Sequence, residues 1–430
     1  MFSVDIYFRH PSKMRYRTLL RLIGLVYLVL MGCSLESGKP ELSDRAARTI
    51  GDSYNAGYFK LILDLSDVSS FDVYLEDDQT IHLIVSGKHI ATDQETAIRY
   101  TRSEDGGHHW MDAVSIPHFP TVIGKRGNDI QLAAQGQHLV AIWQTSGEFP
   151  TMGPMVSAFS SDNGTTWNKG ANPASDNGGN QAYIDLIADQ QGVFHVIWLE
   201  DPEENGYQSL RYARSIDHGK HWSQPITLDD STCSCCWNTF ALSARNQLNV
   251  LYRDLVPRDM ALMQSLDGGL TWKKNSAVGD FQWNFEGCPH IGGGLKSIGL
   301  NDRAQLHGVV WTGAEDKSGL YQLVSSNHGQ SWSAPKKLGE MATNGDIAVL
   351  AGTDANTIAA IWNEIEPGGV NILLSKSADG GVSWSTPQRL SEAGLSPTHP
   401  KLIATGRKFL ALWTEKNSSH THRLVQYTFK

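Results

Sequence analysis

The sequence lacks three features that would place it in other classes of protein. No segment shows sustained helical periodicity, which argues against a helical bundle or an alternating α/β fold. Acidic residues outnumber basic ones by 45 to 36, and the net charge of −9 leaves no basic stripe for nucleic acid. The one marked apolar run, Leu22 to Met31, is too short to span a bilayer comfortably. These absences favour an all-β protein without a nucleic-acid partner.

Cysteine is also scarce, with five in 430 residues, and the first of them closes the N-terminal apolar run. A basic stretch, the apolar run and Leu30-Met31-Gly32-Cys33 follow one another in the order typical of exported proteins. The last four residues resemble the bacterial lipobox, which implies cleavage before Cys33 and lipid modification of its thiol. An ordinary secretory signal is the alternative. Residues 1–33 are thus predicted to be a lipoprotein signal peptide and 34–55 a flexible tether.

The lipid on Cys33 predicts a membrane partner and a place in the bacterial cell envelope, on its periplasmic or extracellular face. Ser34 follows the cysteine where an inner-membrane retention signal usually has Asp, which favours the outer membrane in a Gram-negative cell. The remaining chain, 56–430, is predicted to form one folded domain.

A Ser-x-Asp-x-Gly-x-x-Trp motif occurs six times along that domain. Its Ser and Asp can accept backbone N–H groups, its Gly can take a positive φ, and its Trp can anchor the returning strand. Each copy therefore predicts a hairpin turn. Repetition at roughly 50 to 60 residues with strand-like flanks predicts propeller blades. The third positions of the six copies, with one substitution, are Asp105, Asp162, Asp217, Asp267, Asn327 and Asp379.

A second repeat, a β-rich run that usually ends in an aromatic residue, occurs seven times between these turns. With a strand before it and one after it, each run predicts a four-stranded blade whose turn motif joins the third and fourth strands. The last repeat lacks the motif and the fourth strand, which Tyr58 to Leu63 can supply from the N-terminus. We therefore expect an all-β fold, a single propeller of seven blades closed by that strand.

The turn motif resembles the Asp-box, or bacterial neuraminidase repeat, of the sialidase superfamily. The resemblance covers about Tyr58 to Lys430 and implies a β-propeller whose Asp-boxes are structural and lie opposite the binding face. It also implies six blades as the alternative to seven, because catalytic sialidases have six. The arginine setting and the Tyr–Glu pair of those enzymes are not identifiable in this sequence.

In a four-stranded blade, the connections opposite the Asp-box turns join the second to the third strand and one blade to the next. Blade four stands out there, because Arg253 and Arg258 follow its second strand. Planar guanidinium groups could grip a carboxylate there, or could each pair with Asp254 or Asp259 to hold a loop. The predicted ligand-binding residues are Arg253, Arg258, Arg126, Asp259, Glu364 and His290. The predicted proton-transfer residues are Asp254 and Glu200.

The loops that flank blade four contain all four remaining cysteines, Cys233, Cys235, Cys236 and Cys288. Disulfides are the favoured interpretation in an oxidising compartment. A thiolate and imidazole metal site that includes His290 is the alternative, because soft ligands at short spacing suit Cu(I) or Zn. No cofactor is required under the first interpretation.

Two functional hypotheses follow from these patterns. The first is a sialidase-like glycosidase that binds and hydrolyses an acidic sugar at the channel mouth. The second is a surface module without catalysis that binds a glycan, protein or metal on the same face. The resemblance alone does not decide between them, because one fold supports many functions.

Overall fold

The computed structural model describes residues 54–55, 63–76, 79–91, 96–117, 130–145, 153–175, 181–203, 206, 208–243, 247–298, 305–350, 356–416 and 420–430. These residues form twenty-eight strands in seven four-stranded antiparallel sheets, which are the blades of a propeller. The predicted all-β fold and the preferred count of seven blades are confirmed. In this part of the chain no helix is long and apolar enough to cross a membrane.

The first four blades follow one another in chain order. Blade one contains β2 (Leu65–Leu75), β3 (Ile81–His89), β4 (Thr96–Ser103) and β5 (Val114–Ile116). Blade two contains β6 (Ile130–Gln135), β7 (His138–Gln144), β8 (Met155–Ser160) and β9 (Asn168–Lys169). Blade three contains β10 (Ala182–Ala188), β11 (Phe194–Glu200), β12 (Gln208–Ser215) and β13 (Ile226–Thr232). Blade four contains β14 (Thr239–Ser243), β15 (Gln247–Arg253), β16 (Met260–Ser265) and β17 (Lys273–Ala277).

The last three blades complete the ring. Blade five contains β18 (Gly294–Ile298), β19 (Gln305–Thr312), β20 (Gly319–Ser325) and β21 (Lys336–Gly339). Blade six contains β22 (Ala342–Val349), β23 (Ile358–Glu366), β24 (Gly369–Ser377) and β25 (Gln388–Arg389). Blade seven contains β26 (Pro397–Thr405), β27 (Lys408–Lys416), β28 (His422–Phe429) and, from the other end of the chain, β1 (Tyr54–Asn55).

Strand β1 closes the last blade, but at a different place from the prediction. Tyr54 pairs with Tyr427 and Asn55 with Gln426 along β28. The predicted closing segment, Tyr58 to Leu63, lies outside the described residues except for Leu63, which is buried. The closing strand is therefore supplied by residues four positions earlier, at the end of the predicted tether.

The six turn motifs have one geometry, and blade two is representative. Ser160 Oγ accepts the Gly164 N–H at 2.9 Å and donates to Asp162 Oδ1 at 2.7 Å. The same Asp162 oxygen accepts the Thr166 N–H at 2.9 Å. Gly164 has a φ of 78°, and a Cβ there would lie 2.0 Å from the Tyr100 ring of blade one. Glycine is thus required both by the turn and by the neighbouring blade.

Asn327 preserves this turn in blade five. Its Oδ1 accepts the Ser331 N–H at 3.0 Å, as the carboxylates do elsewhere, and its Nδ2 donates to Ser331 Oγ at 2.8 Å. The amide therefore replaces the carboxylate without loss of a hydrogen bond. All six motifs stand between a third and a fourth strand, as predicted.

The hydrophobic core lies between neighbouring blades and includes the aromatic residues that end the second strands. Trp143, Trp198, Trp362 and Trp413 are at most 1% exposed. Three of these indoles donate to the acid two residues later: Trp198 to Glu200 at 3.1 Å, Trp362 to Glu364 at 2.7 Å and Trp413 to Glu415 at 3.0 Å. The recurrent acids therefore satisfy buried indole N–H groups.

Candidate functional site

A central channel runs along the axis of the ring. The first strands of successive blades contact one another around a complete circle, from β2 through β6, β10, β14, β18 and β22 to β26 and back to β2. These strands begin on the face opposite the Asp-box turns, because each follows the connection from the preceding blade. The mouth of the channel on that face is the position where propellers commonly hold ligands.

Three carboxylates in the channel each join the first strands of two neighbouring blades. Asp72 Oδ2 in blade one accepts the Leu132 N–H of blade two at 2.9 Å. Asp346 Oδ2 in blade six accepts the Leu402 N–H of blade seven at 2.7 Å. Asp185 in blade three does the same with the Phe240 N–H of blade four. Each side chain thus fixes the spacing of two blades at the axis.

Lys401 brings a positive charge to these carboxylates. Its Nζ lies 3.3 Å from Asp72 Oδ1, and 32% of the lysine side chain remains exposed. Burial alone would lower the pKa of Lys401, but attraction to Asp72, Asp185 and Asp346 outweighs burial and raises it. Burial raises the pKa of Asp185 to about 6, with attraction to Lys401 opposing the shift. The channel therefore carries one ammonium group among three carboxyl groups.

A cavity of about 100 Å³ lies at this mouth. Its lining includes polar and aromatic side chains from the loops and first strands: Asp185, Trp237, Asn238, Asn344, His399 and Lys401. The rings of Trp237 and His399 meet edge to face with their centroids 5.3 Å apart. Tyr183 packs against Trp237 in the same way at 5.6 Å. We call this region the channel mouth.

Three buried polar atoms of residues that line the cavity have no hydrogen-bond partner among the residues that the structure describes. They are Trp237 Nε1, Asn238 Oδ1 and His399 Nε2. The other ring nitrogen of His399 contacts Thr398 Oγ1 at 2.7 Å, and burial lowers the pKa of this imidazole to about 4. His399 is therefore neutral near pH 7. Orphaned buried polar groups of mixed donor and acceptor character favour a ligand or water that supplies both.

The four predicted cysteines do come together beside the channel mouth. Cys233 Sγ lies 2.8 Å from Cys236 Sγ and 3.8 Å from Cys235 Sγ, and all three are buried. Hydrogen bonds from Cys235 and Cys236 hold the pKa of Cys233 well below its usual range. Cys288 is exposed, and none of the four forms a disulfide. The favoured disulfide interpretation is therefore not what these positions show.

Arg253 is not placed to grip a ligand. It is 1% exposed and donates to three backbone carbonyl oxygens: Arg258 O at 2.6 Å, Trp311 O at 3.0 Å and Ile291 O at 3.3 Å. Its guanidinium also lies 5.2 Å from the centre of the Trp283 ring. The geometry supports the loop-strut interpretation over the anion-binding one, although the partners are carbonyl groups and not Asp254.

Most of the other predicted site residues also hold the scaffold. Arg258 Nε donates to Phe285 O, and Asp259 accepts the N–H groups of Phe281, Gln282 and Trp283. Asp254 pairs with Lys274. Glu200 accepts from Gln181 and Trp198, and Glu364 accepts from Trp362 and the Met341 N–H. His290 is exposed beside the cysteines, and Arg126 lies outside the described residues.

The sequence motifs do not single out the channel-mouth residues. One signal could have done so, because the axial residue stands immediately before an apolar residue in Asp72-Val73, Asp185-Leu186, Asp346-Ile347 and Lys401-Leu402. Alignment of the first strands on this position shows a lysine where three other blades have aspartate. Alignment of the second strands draws attention to Arg253 instead, and does not reveal the lysine in the channel.

These features define the class of protein: a seven-bladed propeller whose polar and aromatic channel mouth lies opposite its Asp-box turns. Residues 72–275 match the family model of the BNR repeat-like domain. Through this match and its seven blades, the chain is similar to the sialidase-like β-propellers built from BNR repeats. No curated protein sequence matches it.

Solved structures share the fold at low sequence identity. An ulvan lyase from a family of polysaccharide lyases has a TM-score of 0.57 and 11% identity, over 84% of this chain and 94% of the lyase. The intramolecular trans-sialidase from Ruminococcus gnavus has a TM-score of 0.49 and 12% identity, over 88% of this chain and 97% of the enzyme. At 11% identity the similarity to the lyase shows the fold alone.

Proposed function

We propose that this protein binds a glycan at the channel mouth, through the pocket lined by Trp237, Asn238 and His399. The observation that carries the proposal is the set of three unpartnered buried polar atoms around one cavity. Sugar hydroxyl groups both donate and accept hydrogen bonds, so a sugar suits a pocket whose lining residues offer unpartnered donors and acceptors. The ring of Trp237, which lines the cavity, offers apolar surface for a sugar ring.

The charges at the mouth favour a hydroxyl-rich sugar over a strongly acidic one. Lys401 is the only basic side chain in the described lining, and it already lies among three carboxyl groups. Arg253 and Arg258, on which the acidic-sugar hypothesis depended, donate to backbone carbonyl groups. An added sugar carboxylate would therefore meet repulsion from Asp185 and Asp346 with little compensation.

Replacing Trp237 with alanine is expected to weaken glycan binding about 10- to 100-fold, because it removes one hydrogen-bond donor and one face of the pocket. Calorimetric titration of oligosaccharides selected on a glycan array would measure the loss. Phe285→Ala is the matched control, since Phe285 is 45% exposed and does not line the cavity. Equal affinity in the Trp237 variant, or loss only in the Phe285 variant, would place the site elsewhere.

A matched pair of ligands separates the two sugar classes. A sialylated oligosaccharide and its desialylated counterpart differ in one acidic sugar. We expect the neutral member to bind more tightly at low salt. Tighter binding of the sialylated member, with an affinity that falls as salt rises, would support the acidic-sugar hypothesis instead.

Glycan cleavage at the same mouth is the second candidate function. Its motive is that the cavity lining includes a neutral imidazole, His399, and a carboxyl group, Asp185, whose pKa is raised to about 6. Such groups suit proton transfer near neutral pH. Turnover of an oligosaccharide and polysaccharide panel, lost in His399→Asn, would support cleavage. Asparagine suits the φ of 53° at this position and removes the imidazole.

We also propose that the domain is exported and anchored to the cell envelope through a lipid on Cys33. The support is the order of the basic stretch, the apolar run and Leu30-Met31-Gly32-Cys33, all of which lie outside the described residues. Mass analysis of membrane-extracted protein should find an acylated chain that begins at Cys33. A soluble chain that retains the preceding residues would contradict the proposal.

A further inference from the structure

Two loops meet beside the channel mouth, and both present metal-binding side chains. The loop that enters blade four carries Cys233, Cys235 and Cys236, whose sulfur atoms all lie within 4.8 Å of one another. The loop that leaves the blade carries Cys288 and His290, and a ligand atom of each lies within 4.8 Å of Cys235 Sγ and of the other. Cys235 therefore belongs to both groups.

We propose that Cys233, Cys235, Cys288 and His290 form a binding site for a thiophilic cation, zinc in the first instance, with Cys235 as the ligand common to both groups. Cys236 lies 2.8 Å from Cys233, too close for both sulfur atoms to be ligands of one zinc ion. Tetrahedral coordination with Zn–S bonds of about 2.3 Å places neighbouring sulfur atoms about 3.8 Å apart. The Cys233 to Cys235 separation is 3.8 Å. Thiolate and imidazole together are the ligand types that zinc prefers in proteins.

A disulfide accounts for less of this arrangement. The 2.8 Å between Cys233 and Cys236 exceeds a sulfur–sulfur bond of about 2.05 Å. A disulfide also has no use for His290, whose ring reaches the same cluster from an exposed position with a φ of 53°. Metal coordination uses the imidazole together with three of the four thiols.

The nearby guanidinium fits an anionic metal complex. Arg253 is buried, and its peptide oxygen accepts the Cys233 N–H at 3.0 Å. Among the described residues it forms no ion pair with a carboxylate, and its donors go to neutral carbonyl groups. Three thiolates, one imidazole and Zn²⁺ carry a net charge of minus one, which the guanidinium balances.

The site would also fix one wall of the channel mouth. Trp237 follows Cys236 directly, and Gly292 comes two residues after His290. Both line the cavity, and a Cβ on Gly292 would lie 2.9 Å from Trp237 Cβ. An ion that ties the two loops together thus holds Trp237 in position. The metal site itself does not depend on which ligand the mouth binds.

Metal content and thiol reactivity of the purified full-length chain test this proposal. We expect zinc in stoichiometric amount by elemental analysis, and thiols that resist modification until a chelator is added. Cobalt substitution should give the visible absorption of tetrahedral thiolate coordination.

Cys288→Ser and His290→Asn, both at exposed positions, should lower zinc affinity at least about 10-fold. His108→Ala, an exposed histidine on the Asp-box face, is the matched control and should leave zinc binding unchanged.

Two results would overturn the proposal. The first is that the protein binds no metal after zinc is added, and that its four thiols react freely both with and without a chelator. The second is a mass deficit of two hydrogens for each pair of cysteines, which would show disulfides in place of a metal site. If protein that gives either result still binds glycan, the proposed function stands and only this metal site is rejected.

Discussion

Replacing Arg253 with alanine is expected to lower the free energy of unfolding by about 3 to 5 kcal/mol. The change removes the donor to three carbonyl oxygens: Arg258 O and Ile291 O, in two separate loops, and Trp311 O, near the end of strand β19. It also leaves a cavity next to Trp283, which packs on the guanidinium. Buried carbonyl groups without a donor are costly, so the loss exceeds that of an ordinary surface arginine.

Chemical denaturation of matched variants would measure this loss. Arg253→Lys keeps the charge but cannot reach three carbonyl groups at once, so it should recover only part of the stability. Arg258→Ala is the control from the same loop, because the described contacts of its side chain include one carbonyl acceptor, Phe285 O. If Arg253→Ala were as stable as Arg258→Ala, the strut role would be wrong.

The position of Arg253 could be predicted from the sequence, but its role could not. Its uniqueness among the second strands correctly marks a position where blade four differs from the others. The sequence does not show that carbonyl groups from two loops and from a strand of the next blade converge on it. Such convergence depends on loop conformations that no local pattern encodes, so a residue expected to bind an anion instead organises the loops.

The repeats themselves were predictable, because each depends on local chemistry. The Asp-box turn needs only a Ser, an acceptor and a glycine at fixed spacing, which is why Asn327 preserves it. The closing strand was harder. Tyr54 and Asn55 pair with β28 through the backbone, so apolar composition, which favoured Tyr58 to Leu63, is a poor guide to which residues pair.

The acids that recur after the second strands have a structural role, although they were predicted to be functional. Glu200 was predicted to transfer protons and Glu364 to bind ligand, because both follow second strands on the binding face. Their recurrence across blades indicates a shared structural task, and in both cases that task is to accept an indole N–H. The channel mouth depends instead on long-range placement of Trp237, Asn344 and His399, which come from three different blades.

Replacing Lys401 with methionine is expected to lower the free energy of unfolding by about 2 to 4 kcal/mol near neutral pH. The variant keeps most of the side-chain volume but removes the only ammonium group among Asp72, Asp185 and Asp346. Each of the three carboxylates holds a neighbouring blade through a backbone N–H, so their mutual repulsion strains the ring at its axis. The 32% exposure of the lysine side chain lets water moderate the loss.

The loss of stability in Lys401→Met should become smaller as the pH falls, whereas ordinary acid unfolding makes a protein less stable at low pH. The pKa of Asp185 is raised from 3.8 to about 6, so the folded state binds more protons than the unfolded state between those values. Without Lys401, both Asp72 and Asp185 should hold protons more strongly. As pH falls through about 6, protonation of these acids relieves the repulsion, and the stability gap between variant and wild type should narrow.

Unfolding free energies of both proteins at about pH 5 and about pH 8 would test this dependence. Lys273→Met, at an exposed lysine of β17, is the control and should show no gap at either pH. Asp72→Asn in the Lys401→Met background should restore part of the loss, because it removes one charge from the cluster. The difference in unfolding free energy between wild type and Lys401→Met could instead stay constant with pH and be unchanged by Asp72→Asn. That result would mean that Lys401 stabilises the ring by packing and not through its charge.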